Sequence, residues 1–376
     1  MKSWNVEICD VTLRDGEQTP GVSFSCEEKT RIAETLDQIG IEVIEAGFPI
    51  TSSYEKHCVR TISHLDLDAR ICCLARARKG DIEAAIDSDV DMVSIFLPTS
   101  ELHVRHKFHR PREEVLAEAL EMVDLTRDHG LQVRFAAEDA SRTDLPYLRE
   151  VYRKGEEHGA DLLSFADTVG ALTPIEMYET MRNLVAQVHR PLCAHCHNDM
   201  GCATANTLAA AAAGAFQLHT TVNGIGERAG NAALEEVLVA LYMKGGVRRY
   251  DLSLLTPLSR MVTQYSGIAV DRLKPVVGDN AFRHESGIHI AAILEDPETY
   301  EFFPPALVGS ERKFILGKHT GKKALEHEIA RLGYHLEEPQ ICRVLEMVKD
   351  RGEKKVDLTD ETLIDLIKLV TEGPGW

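Results

Sequence analysis

The amino-acid sequence predicts an α/β fold: a (β/α)₈ TIM barrel over residues 1–250, then a smaller, mainly helical region over 251–376 that reads as a lid or assembly element. Three observations lead there. Short β-branched or apolar runs alternate with segments of helical spacing, the rhythm of successive βα units. Eight such runs precede Tyr250, the number that closes a barrel. No Gly-x-Gly-x-x-Gly follows the first run, so the signature of an open, doubly wound sheet is missing.

In chain order the strands are predicted at residues 6–12, 43–48, 70–74, 92–97, 132–137, 162–166, 192–194 continuing to His197, and 217–222. Between them, Ile32, Leu36 and Ile39 share one helix face, as do Val115, Ala119, Met122 and Val123. Thr173-Pro174-Ile175-Glu176 supplies an N-cap, a proline at the first helical position and a glutamate that completes a capping box. After Tyr250 the rhythm gives way to glycine-rich turns, a basic segment over 311–323 and a closing pair of helical patterns.

Composition narrows the function classes. With 44% hydrophobic residues the chain has material for a large buried core, while its longest apolar runs are too short to cross a bilayer. A formal net charge of −18 disfavours nucleic acid or an anionic membrane as a partner, so an anionic ligand needs a local cluster of positive charge. Nine cysteines, an odd number scattered mostly singly, argue against a disulfide framework and for a reducing, cytoplasmic setting.

The strongest local signal is Ala194-His195-Cys196-His197-Asn198-Asp199. Strand alternation turns His195 and His197 to the same side, where two imidazoles can share one metal ion. Cys196 is turned the other way and reads as packing, although Cys193 and Cys196 form a Cys-x-x-Cys. Thr12-Leu13-Arg14-Asp15-Gly16-Glu17-Gln18 crowds charge at the end of the first strand: Asp15 is a suitable oxygen ligand, and the Arg14 guanidinium suits a carbonyl or carboxylate oxygen. Further polar groups fall at other strand ends: Arg134 and Glu138, Asp167 and Thr168, and Asn223. Polar convergence at the carboxyl ends of many strands is the mark of a barrel active site.

These motifs, together with residues 221–231, His284-Glu285-Ser286-Gly287-Ile288-His289 and Leu316-Gly317-Lys318-His319, resemble the signatures of the isopropylmalate and homocitrate synthase family in the same order along nearly the whole chain. The resemblance implies an acyltransferase that condenses acetyl-CoA with a 2-oxo acid by a metal-assisted Claisen-type addition, followed by thioester hydrolysis. By the same resemblance Asp15, His195 and His197 ligate a divalent metal (zinc, manganese, magnesium or cobalt), with Asn231 as a further or nearby ligand. Arg14 and Gln18 contact the substrate, Arg14 stabilising charge on the ketone oxygen, and Thr168 holds its carboxylate. His289 helps remove a proton from the acetyl methyl group, aided by Glu138 and with Tyr300 beside it on the lid. In the family this histidine comes from a neighbouring subunit, which implies a homodimer. On residues alone, His289 reads instead as a buried, hydrogen-bonded helix histidine.

Arg134, within residues 132–139, resembles an arginine that in homocitrate synthases grips the distal carboxylate of 2-oxoglutarate. The chain is also too short to hold the regulatory domain typical of isopropylmalate synthases. It departs from the lysine-pathway homocitrate synthases at Asp15, where they have glutamate, so oxaloacetate, a phosphonopyruvate-like acid, 2-oxoisovalerate and pyruvate are alternative substrates. A metal-dependent aldolase or lyase on the same barrel is the competing enzyme class. For the phosphates of CoA the candidate contacts are Arg312, Lys313, Lys318, Lys322 and Lys323, a set that equally reads as a solvated helix face.

Overall fold

The computed structural model describes residues 3–356 and 358–373. Eight parallel strands close into a barrel in sequence order: β1 Glu7–Asp10, β2 Val43–Gly47, β3 Arg70–Arg76, β4 Met92–Pro98, β5 Gln132–Glu138, β6 Leu162–Asp167, β7 Leu192–Cys196 and β8 Gln217–Thr220. Closure is made by β1 on β8, with Cys9 opposite His219 and Asp10 opposite Thr220. All eight predicted strands are present. The first is shorter than expected, because the chain turns after Asp10 and carries Arg14 and Asp15 into a loop over the mouth.

The helices form where the pattern places them. Cys26–Ile39 is started by a Ser25/Glu28 capping box, buries Ile32, Ala33, Leu36 and Ile39, and stops at Gly40 in the left-handed region. Pro174–Val185 has the predicted Thr173/Glu176 box. Cys9, Val43, Cys72, Met92, Leu162 and Cys193 pack together from six different strands, a meeting only the barrel interior allows, and they form an apolar floor beneath the mouth.

The first compact unit runs to Val270, not to residue 250. The helix Leu255–Ser266 belongs to it, since Asn223 donates to the Ser259 carbonyl at 3.0 Å and to Thr263 Oγ1 at 3.2 Å. The second unit, from Asp271, contains helices Gly287–Glu295, Lys322–Arg331, Glu338–Glu353 and Asp360–Thr371 and a two-stranded parallel ladder of Arg283–His284 with Lys313–Phe314. Its own core includes Leu325, Ile329, Val344, Val348, Leu363 and Ile367. Among the described residues no helix is long and apolar enough to cross a membrane, and all nine cysteines are free.

Candidate active site

Asp15, His195 and His197 converge at the mouth, all buried, with one potential ligand atom from each within 4.8 Å of the others. The two Nε2 atoms stand 3.1 Å apart and lie 3.6 and 3.8 Å from Asp15 Oδ2. Burial acts to raise the Asp15 carboxyl, but Arg14 and the two histidines hold it well below its usual range. His197 is pushed down to about 3, chiefly by burial and then by His195, so its imidazole is neutral. Two nitrogen lone pairs and a carboxylate facing one another suit a divalent cation.

Asn231 adds to this arrangement. Its Nδ2 donates to Asp15 Oδ1 at 2.8 Å, and its Oδ1 is buried with no hydrogen-bond partner. Gly226 makes room for that pair: with φ of +151°, a Cβ there would stand 2.1 Å from Asn231 Nδ2 and 2.8 Å from Asp15 Oδ1. Cys196 faces away into packing, where burial pushes its thiol up to about 12.

The cavity beside these groups, about 310 Å³, is lined by Arg14, Gln18, Arg134, Glu138 and Thr168 as well as the two histidines. Thr168 Oγ1 accepts from the Asp139 N–H at 2.9 Å, which leaves its hydroxyl proton to donate into the cavity. Gln18 lies 3.5 Å from Arg14. Glu138 is held by Lys107 at 2.6 Å through Oε1, while its Oε2 is buried without a partner.

Sequence reasoning missed Glu45, which organises the floor. It is fully buried, and its two oxygens accept separately from Arg14 Nε and Arg134 Nη2. Burial acts to raise its carboxyl; the two guanidiniums nonetheless keep it ionised and below its usual range. The remaining Arg134 contacts are Ser94 Oγ at 3.1 Å, Gln217 Oε1 at 2.8 Å and Cys9 Sγ at 3.1 Å. Arg134 thus enters the cavity already paired, not as the free two-pronged donor its position in the sequence suggests. The available signal was a lone charge in the middle of an otherwise apolar strand, Val43-Ile44-Glu45-Ala46-Gly47. His219 also lines the cavity and was missed; burial first, then Arg134 and His195, holds it neutral.

Two expected contributors serve the backbone or the loop scaffold instead. Asp167 accepts from the N–H groups of Ala171 and Leu172. Asn223 fastens the helix Leu255–Ser266, as described. Glu17, in the charged cluster after the first strand, accepts from Phe24 N and pairs at 2.6 Å with the buried Lys29, which also holds the Leu13 carbonyl and Glu55. That network braces the loop bearing Arg14 and Asp15.

In the second unit His289 is exposed on the helix Gly287–Glu295, not buried, and stacks on Tyr300 with ring centroids 4.0 Å apart. Of the basic set, Arg312 is paired with Glu301, Lys322 with Glu338 and Lys323 with Glu295.

An HMGL-like family model matches residues 5–262, and a model described as homocitrate synthase post-HMGL domain-like matches residues 276–356. The chain is 54% identical to a homocitrate synthase AksA of Methanosarcina acetivorans over 98% of its own length and 91% of that protein's. The chain belongs to the homocitrate and isopropylmalate synthase family. A probable 2-isopropylmalate synthase of Methanopyrus kandleri is 50% identical over 93% of this chain and 70% of that family member. Among solved structures, the HMG-CoA lyase of Bacillus subtilis superposes with a TM-score of 0.64 at 22% identity, covering 72% of this chain and 97% of the lyase, which speaks to the shared barrel alone.

Proposed function

We propose that this family member is an acyltransferase that condenses acetyl-CoA with 2-oxoglutarate to give homocitrate. The observation that carries the choice of a dicarboxylic 2-oxo acid is the set of Arg14, Arg134, Glu45 and Asp15, buried but for the partly exposed Arg14, whose charges cancel. A divalent cation held by Asp15, His195 and His197, with Asn231 Oδ1 beside them, then leaves two positive charges. A dicarboxylate neutralises both, whereas a monocarboxylate leaves one buried and unmatched.

When bound, the cation acts as a Lewis acid toward the 2-oxo group. The chain's own residues do the rest. Arg14, fixed by Glu45 and Asp15, directs its guanidinium at the oxygen where negative charge grows. The Thr168 hydroxyl donates to the substrate carboxylate, and the one N–H left on Arg134 meets the distal carboxylate. A thioester methyl is a weak carbon acid, so its proton needs a positioned base, supplied by His289 with Glu138; Tyr300 orients His289 by stacking. The assembly expected for this reaction is a cytoplasmic homodimer in which the second unit of one copy serves the barrel of the other.

A second reading has its own support. Phe48, Leu74, Phe96, Ala136 and Ala166 make much of the cavity wall apolar, which suits the branched tail of 2-oxoisovalerate. Free-thiol release from acetyl-CoA, measured against a panel of 2-oxo acids with and without a chelator, separates the two. Turnover of 2-oxoglutarate that stops with chelator is expected; turnover of 2-oxoisovalerate alone would sink the homocitrate reading and leave the family intact.

A further inference from the structure

Glu138 Oε2 and His103 Nδ1 are both buried, both without a hydrogen-bond partner, and lie 3.7 Å apart. A hydrogen bond between them would satisfy both. His103 and Lys107 are four residues apart, so they approach Glu138 from one face: Lys107 on Oε1 at 2.6 Å, His103 on Oε2. The segment Val104–Phe108 between and around them is a π-helix, a form concentrated at functional sites. The other ring nitrogen, His103 Nε2, faces Asp139 Oδ2 at 3.6 Å and Arg142 Nη2 at 3.4 Å. Asp139 is itself fixed by Arg142 at 2.8 and 2.9 Å and by Ser100 Oγ at 2.5 Å. The imidazole is therefore set between two carboxylates, one lining the substrate cavity and one braced behind it.

We infer that His103 is a positioning residue for Glu138: its Nδ1–H turns to Oε2 while Lys107 holds Oε1, and together they fix the carboxylate at the cavity. The inference rests on the reading of Glu138 as part of the base. Arg142 Nη2 can only donate, so Nε2 accepts from it and the ring proton sits on Nδ1, facing Glu138 Oε2. Distances near 3.6 Å exceed a hydrogen bond, and closing them takes a small side-chain rotation of the kind that substrate binding commonly brings.

The test uses the full-length protein with acetyl-CoA and the 2-oxo acid it turns over. His103→Ala and His103→Gln are expected to lower kcat on the order of 10–100-fold. KM and melting temperature should stay close to wild type, so that the loss appears in kcat alone. Added imidazole should restore part of the rate to His103→Ala. Wild-type kcat in both variants, or a loss that tracks melting temperature and ignores imidazole, overturns the inference. Glu138→Gln distinguishes the layers: if it is impaired while the His103 variants are not, only the positioning role fails, whereas full activity in Glu138→Gln removes the base assignment beneath it.

Discussion

At the barrel mouth Arg14, Asp15, Glu45 and Arg134 hold one another, whereas His289 and Tyr300 of the second unit are exposed. Arg14 and Arg134 share Glu45, Asp15 is held by Arg14 and Asn231, and all but Arg14 are nearly inaccessible. His289 and Tyr300 lie exposed on the second unit, stacked on each other. The first arrangement is preorganised, with its desolvation cost met by the fold. The second costs the fold little and becomes productive only when something covers it. Substitutions in the two regions should therefore fail in different ways.

The largest effect belongs to the metal corner. His195→Ala should lower kcat by about 10³-fold or more, since a lost cation forfeits several kcal/mol of transition-state stabilisation. Calorimetric titration with a divalent ion should show the binding lost as well; full activity with no bound metal would remove the basis of the comparison. His289→Ala should follow, with kcat reduced on the order of 10²–10³-fold but melting temperature unchanged, because the side chain is exposed. Mixing the two inactive variants sharpens the contrast: exchange into hybrid dimers should recover about a quarter of wild-type activity if the histidine acts across subunits, and none if it acts within its own chain.

Glu45→Gln should behave unlike His289→Ala, losing on the order of 3–5 kcal/mol of stability as well as rate, because two buried guanidiniums are left without their counter-charge. Equal melting temperatures for this variant and wild type would show that the floor is not preorganised.

The smallest effect is expected at Asp10, whose carboxyl is pushed up to about 7 by burial, with nearby Glu235 and Glu45 adding to the rise. A folded pKa above the unfolded value means that its contribution is intact below about 4 and is lost as pH rises through 7. Asp10→Asn, which cannot ionise, should therefore come closest to wild type below about pH 4 and exceed it at pH 8 by about 1–3 kcal/mol in denaturant melts.

The strand and helix pattern was legible because alternation and helical spacing are local properties, written within a few residues. The same locality put His195 and His197 on one side of β7 and Cys196 on the other. Family motifs then pointed to Asp15, Asn231 and His289 as residues. What the sequence by itself determined was thus the barrel and most of the chemical cast. Only tertiary structure decided who faces whom. Barrel closure placed Glu45 of β2 between Arg14 and Arg134, set Asn223 against the helix Leu255–Ser266 and brought His103 against Glu138. These three pairings join distant segments, and no periodicity within one segment encodes the closure that brings them together.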